Sequence, residues 1–231
     1  MTKVVFLILT FNRLQYTKET LESLFKNKYS FHLCIYDNGS SEPGLIEYLK
    51  NIKNKESRII DLQFSKINSG LSIPTNSFWK AHKDIYPYLG KIDNDTIIPE
   101  DAVARLVDIM DNCPNVAICH GHHWFDVNFS QKRLKNINGR LLLKIRWGGG
   151  CFYLIRSSIV HKFGYIPEKH GKMGGWTEYQ NKVRRRGNNI VYAYPLIKVR
   201  HLGDKLSGRV EEEKNYTEYN NLIKEIRRRK N

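Results

Sequence analysis

The chain has 231 residues, 41% of them hydrophobic and 26% charged. That composition excludes a disordered protein and allows one large domain with its own core, or two small ones. The formal charge of +15 is unevenly placed: residues 1–130 carry 14 basic against 15 acidic side chains, residues 131–210 carry 18 against 3, and residues 211–231 carry 6 against 5. A third of the chain this basic points to an anionic partner such as nucleic acid, anionic lipid headgroups or a phosphorylated substrate, because a merely solubilising surface would spread its lysines along the whole chain.

The early apolar run Val4 to Leu9 is too short to span a bilayer and has no signal-peptide cleavage pattern behind it. No transmembrane segment is expected. The expectation is a cytoplasmic protein that meets a membrane or DNA only peripherally. Cys34, Cys113, Cys119 and Cys151 form no Cys-x-x-Cys pair, as suits free thiols in a reducing compartment.

In chain order, Lys3 to Leu9 reads as a buried parallel strand, with Thr10-Phe11-Asn12-Arg13 as the loop at its end. Thr17, Leu21, Leu24 and Phe25 follow at helical spacing, with Glu19 and Glu22 early and Lys26 and Lys28 late, as the helix dipole prefers. Phe31 to Tyr36 is a second strand ending in Asp37-Asn38-Gly39-Ser40-Ser41, where Ser40 or Ser41 is placed to cap the helix through Leu45, Ile46 and Leu49. Arg58 to Phe64 is a third strand, broken by Asn68-Ser69-Gly70. Ser72 to Lys83 is a helix with Pro74 in its first turn. A fourth strand then runs into Lys91-Ile92-Asp93-Asn94-Asp95-Thr96, and Ala102, Val103, Leu106, Val107 and Met110 mark the next helix.

This alternation predicts a parallel sheet with crossover helices. Ligands of such sheets bind beyond the carboxyl ends of the strands. All four polar loops stand at strand C-ends, so they converge on one edge. Asp93 and Asp95, one residue apart, point to the same side, and hard oxygen ligands of this kind suit Mn²⁺ or Mg²⁺. An isolated Asp-x-Asp is also common as a solvated turn.

Taken together, Thr10-Phe11-Asn12-Arg13, Leu21-Glu22-Ser23-Leu24, Ile35 to Ser41, Asn68-Ser69-Gly70 with Asn76, and Asp93-Asn94-Asp95 resemble the ordered motifs of the large inverting family of GT-A glycosyltransferases. The resemblance covers residues 3–112. It implies a Rossmann-like, mostly parallel central sheet with flanking helices and a small acceptor-side extension. Residues 1–130 become the nucleotide-sugar half, 131–210 the basic acceptor half, and 211–231 a charged C-terminal helix. It further implies that Thr10 and Asp37 line the nucleobase and ribose pocket, that Asn12, Arg13, Asn68, Gly70, Asn76 and Asn94 serve the same donor site, and that Asp95 with Asp93 holds the metal on a donor diphosphate.

Beyond Val116 to Cys119, another strand, residues 120–140 fit no template. Cys119, His120, His122 and His123 match no standard zinc spacing. Trp147 to Arg156 is a glycine loop running into an apolar strand, where Gly149 and Gly150 would let the backbone approach an acceptor or simply make a tight turn. Ser157 to Phe163 is the short helix expected behind it. Gly174 to Gly187 resembles the family's acidic helix but departs from it. The family shows Glu-Asp side by side; this chain has Glu178 alone, with Trp176 where the Asp would stand. Between residues 131 and 210 the carboxylates are Glu168, Glu178 and Asp204, and of these Glu178 alone begins a helix behind glycines, which makes it the candidate base. Ile190 to Tyr194 and Leu196 to Val199 read as late strands. His201 resembles a histidine that completes the metal or phosphate site in many GT-A enzymes.

The expected activity is metal-dependent transfer of a sugar from a nucleoside-diphosphate sugar, UDP-linked by preference, to an acceptor hydroxyl. A glycan or lipid-linked glycan of anionic character is the favoured acceptor, and a hydroxylated base in DNA the alternative. Glu178 as base implies inversion; without it, retention stays open. Two other classes compete. A nucleotidyltransferase would share the sheet but lacks the Asp37–Ser41 loop. A non-catalytic nucleic-acid binder stacking on Trp147 or Trp176 leaves the four converging loops unexplained.

Overall fold

The computed structural model describes residues 2–122, 134–168 and 175–204. Met1–Arg200 form one compact unit and His201–Asn231 a second. The expected helix at 211–231 lies outside the described residues, as does His123.

The first unit opens with the predicted alternation: β1 (Val4–Thr10), α1 (Leu14–Phe25), β2 (His32–Asp37), α2 (Leu45–Lys55), β3 (Ile59–Phe64), α3 (Ser72–His82) and β4 (Tyr88–Asp93). A two-residue strand β5 (Thr96–Ile97) follows the acidic turn. After it come α4 (Ala102–Asn112), β6 (Val116–His120), β7 (Leu134–Ile137), β8 (Arg140–Lys144), β9 (Phe152–Arg156), α5 (Ser157–Phe163), α6 (Trp176–Arg185), β10 (Asn189–Ala193) and β11 (Arg200–His201). Nine strands form one sheet in the order β3-β2-β1-β4-β9-β6-β10-β8-β7. Only β9 and β8 run against the common direction. The sheet is therefore mostly parallel, as expected.

The strands of β1 lack alternation because both of their faces are covered. Val4 to Leu9 are at most 6% exposed, and each such side chain contributes about 1.5–3 kcal/mol. One face of the sheet packs Phe6, Ile8, Ile92 and Leu154 against α1, α2 and α4 residues such as Leu21, Leu45 and Leu106. The other packs Val5, Leu7, Leu89 and Tyr153 against Trp79, Trp176 and Tyr179 of α3 and α6. Among the described residues no helix is long and apolar enough to cross a membrane.

Four local expectations need correction. Helix α1 runs from Leu14 to Phe25, so its first turn holds no acidic residue and its last turn no basic one. No serine caps α2: Gly44, in the left-handed region at φ 80°, precedes it, and Ser40 turns back to Asp37. Within residues 120–140, for which no template fitted, Leu134 begins the β7–β8 hairpin, whose polar, half-exposed outer strand lacks the apolar alternation that reveals a strand. Finally, β10 ends before Pro195, which has no N–H to continue a ladder, and Leu196–Val199 makes only the isolated bridge between Lys198 and His122.

Candidate active site

The C-ends of β1, β2, β3 and β4 stand along one edge, and their loops are clipped together by buried and half-buried polar side chains. Thr10 Oγ1 donates to Asp37 Oδ1 at 2.8 Å, and Ser40 donates to the same carboxylate through Oγ at 2.5 Å and through its backbone N–H at 3.0 Å. Ser40 Oγ in turn accepts the Asn12 N–H at 2.8 Å. Asn12 Oδ1 accepts the N–H groups of Ser41 and Glu42, and Glu42 accepts that of Leu14 at 3.0 Å. One loop further on, Asn38 Nδ2 reaches Asn68 Oδ1 at 2.9 Å and the Gly70 carbonyl at 3.0 Å, while Asn38 Oδ1 accepts the Ser69 N–H. Asp37 and Asn38 are 1% and 4% exposed, so these two side chains shape the rim of the edge. Asn76 also bonds inward, exchanging both amide hydrogen bonds with the backbone of Ile166 at 2.9 Å.

The acidic turn is fixed in the same manner. Asn94 Nδ2 donates to the Asn12 carbonyl at 3.1 Å and to Thr17 Oγ1 at 3.0 Å. Helix α1 and the residues just after it then present Thr20, Ser23 and Asn27 as a polar stripe that accepts the backbone N–H groups of Thr96, Ile98 and Val103 at 3.0 to 3.1 Å. The segment after β4 would otherwise carry unpaired buried N–H groups, each of which costs about 1–3 kcal/mol. This stripe escaped the sequence reading, which tracked only apolar spacing. Small polar residues at Thr17, Thr20, Ser23 and Asn27, on one helical face, were the available signal.

Asp93 and Asp95 flank Asn94, with side chains 31% and 5% exposed. Arg13 Nη1 meets Asp95 Oδ2 at 2.5 Å. Arg13 and Asn12 both hold left-handed backbone, φ 64° and 53°, a conformation unusual for non-glycine residues and found at functional sites. Both carboxylates stand where β4 meets the acidic turn. A carboxylate pair of this kind fits Mn²⁺ or Mg²⁺, which take hard oxygen donors readily. The sequence reading also missed Lys91, a 4% exposed lysine of β4 whose Nζ contacts Asp93 Oδ1 and lies 3.2 Å from the Gly150 carbonyl.

Beyond β9 the chemistry changes. Gln180 of α6, fully buried, accepts the Gly148 N–H at 2.9 Å, donates to the Gly148 carbonyl at 3.0 Å and lies 3.1 Å from His120 Nε2. A Cβ at Gly148 would lie 2.6 Å from the His120 ring, so packing alone requires this glycine. Gly150 packs near Trp176. Trp176 is 6% exposed and stacks on Tyr153 with ring centroids 4.4 Å apart. It therefore fills the core and offers no open platform. Glu178 is exposed in the first turn of α6, whose buried face is Trp176, Tyr179, Gln180 and Val183. Gly150 thus links the start of α6 to the acidic turn. His120 is committed to this packing, and among the described residues no cysteine–histidine metal cluster forms. An open hollow of about 450 Å³ lies elsewhere, between α4 and the β8–β10 ends, and shares no residue with the clipped loops.

A mostly parallel sheet with flanking helices, converging loops and a carboxylate pair at a central strand end defines a Rossmann-like α/β architecture. Residues 5–170 match the model of glycosyl transferase family 2, and the chain belongs to that family. No curated protein matches the sequence. Among solved structures, the mannosyltransferase PcManGT from Pyrobaculum calidifontis, in complex with GDP-Man and Mn²⁺, is similar at TM-score 0.73 and 14% identity over 88% of this chain and 58% of that one. TarS 1-349 of S. aureus, in complex with UDP-GlcNAc, is similar at TM-score 0.65 and 13% identity over 88% and 61%. GalNAc-T7 with UDP, GalNAc and Mn²⁺ is similar at TM-score 0.71 and 15% identity over 90% and 45%. At these identities the likeness shows the GT-A fold. The chain spans between 45% and 61% of the length of these relatives.

Proposed function

We propose that the protein transfers a sugar from a nucleoside-diphosphate sugar to an acceptor hydroxyl. The observation that carries this reading is the clipped edge itself. Four strand-end loops, among them the turn with Asp93 and Asp95, are held by buried and part-buried hydrogen bonds in a chain of glycosyl transferase family 2. In this reading Asp93, Asp95 and His201 hold Mn²⁺ or Mg²⁺, which would neutralise charge on the leaving diphosphate. Arg13 stands beside Asp95 as a cation for the same diphosphate. Thr10, Asn12, Asp37, Asn68, Gly70, Asn76 and Asn94 keep the donor loops in place, which pre-aligns the reacting atoms. Complexes of similar proteins with GDP-Man, UDP-GlcNAc and UDP support a nucleotide-sugar donor.

Glu178 is the proposed base. It is an exposed carboxylate in the first turn of α6, behind Gly175, and Trp176 of the same turn lies near Gly150. Gly149 and Gly150 form the acceptor-side loop, with Trp176 as its buried support. The acceptor is a glycan or lipid-linked glycan of anionic character. Support comes from the basic excess in residues 131–210 and from the exposed Lys144, Arg146, Lys182 and Arg185. The test is turnover of a panel of UDP- and GDP-sugars, read by release of the nucleoside diphosphate. Release of pyrophosphate instead would make the protein a nucleotidyltransferase and overturn the reading.

A further inference from the structure

Strand β4 places Leu89, Lys91 and Asp93 on one face, since side chains alternate. Leu89 belongs to the apolar cluster with Leu7, Leu9 and Tyr153. A leucine or valine would fill position 91 at no electrostatic cost, whereas a buried ammonium is expensive unless it is paired. The Lys91 side chain is 5% exposed, and its charge partner is Asp93, held together with the Gly150 carbonyl. Arg13 makes the matching pair with Asp95 from a loop whose left-handed backbone aims it there. Each carboxylate thus faces a cation at salt-bridge distance, which offsets the negative charge that the acidic pair offers a divalent ion. An ordinary pair of this kind would carry two negative charges with which to attract a divalent ion.

We propose that Lys91 is a resident counter-cation of the acidic pair, so that the divalent metal is taken up together with a nucleoside diphosphate and not ahead of it. The inference rests on the donor reading above. The two cations differ in a way that gives the mechanism its order. Lys91 is buried and tied to β4, so it stays. Arg13 is 32% exposed on a loop and can exchange Asp95 for an arriving phosphate. That exchange frees Asp95 for the metal at the moment when the diphosphate supplies negative charge of its own. Lys91 meanwhile keeps Asp93 and the Gly150 loop in register as a positioning residue.

The test is Mn²⁺ binding to the full chain, followed by electron paramagnetic resonance with and without UDP or GDP and corrected for Mn²⁺ held by the nucleotide alone. For the wild type, affinity should rise by about tenfold or more when the diphosphate is present. In Lys91→Met the affinity for free Mn²⁺ should itself rise by about tenfold, because a like charge beside the ion is gone. A purely structural role for Lys91 would move the affinity the opposite way, as a disordered ligand binds less well. Arg13→Gln, on the loop surface, should also tighten free Mn²⁺ binding and carries the test should the buried variant not fold. Equal wild-type affinity with and without diphosphate, or unchanged or weaker free Mn²⁺ binding in the folded variants, would overturn the inference. If nucleotides still bind in that case, the donor reading survives; if neither UDP nor GDP binds with or without Mn²⁺, that reading fails as well.

Discussion

The two sides of the nine-stranded sheet are built by different means. On the β3-β2-β1-β4 side, small polar side chains such as Thr10, Asn12, Ser40, Asn38 and Asn94 lock one loop to the next. From β9 onward, Tyr153, Trp176 and Tyr179 stack on one another, while Lys182 and Arg185 of α6 are exposed. Polar clips fix directions, because a hydrogen bond has a preferred geometry, but each contributes only about 1 kcal/mol net. Aromatic packing contributes more stability and less direction. The first arrangement suits a site that must hold a diphosphate in one orientation. The second suits a wall that carries a charged, loosely specified acceptor.

Mutations should separate the two sides. The largest effect is expected at the acidic turn. Asp95→Asn should reduce sugar transfer and donor hydrolysis together by about 10³-fold, while circular dichroism stays that of a folded protein. Excess chelator should do the same to the wild type, and full activity in chelator would remove the metal from the donor side. Next comes Glu178→Gln, across the boundary, which should cut turnover by about 10²–10⁴-fold with nucleotide-sugar binding retained in calorimetry. Unchanged turnover would move the base to Glu168 or Asp204.

A matched pair of variants sharpens the contrast. Ser23→Ala should lower stability by only about 1 kcal/mol yet reduce activity several-fold, because the Ile98 N–H loses the acceptor that helps to set the acidic turn. Gln180→Leu should show the reverse. It strands both backbone groups of Gly148, with an expected loss of about 2–4 kcal/mol in denaturant unfolding and a smaller change in donor hydrolysis. Equal behaviour of the two variants would mean that the sides do not differ as described.

The smallest expected effect concerns the thiols, which lie on both sides. All four cysteines are buried, and burial pushes the Cys34 thiol up to about 12, with Cys119 and Cys151 raised further still. Near neutral pH they should stay protonated and react with a thiol reagent only at the rate of global unfolding. Fast labelling of the folded protein would show that one of these sites opens locally.

Much of the first side was legible in the sequence. Continuous apolar runs revealed the buried parallel strands, because covering both faces removes alternation. Polar residues after each run marked the strand-end loops, and parallel topology then placed those loops at one edge. Asp93 and Asp95 were placed at the end of β4 in this way. What the sequence could not reveal is how side chains are spent. Asp37 and Asn76 read as donor-site residues; their bonds to Thr10 and Ile166 came to light only in the fold, because partners distant in sequence meet once the strands are paired. Trp176 resembled an open platform until Tyr153 stacked against it. Lys91 was one more charged residue ahead of an acidic motif until burial beside Asp93 made its charge costly and therefore informative. Local pattern determines which elements form and which edge they offer. The balance of buried charge and hydrogen bonds depends on which side chains tertiary packing brings together, and only the folded chain decides that.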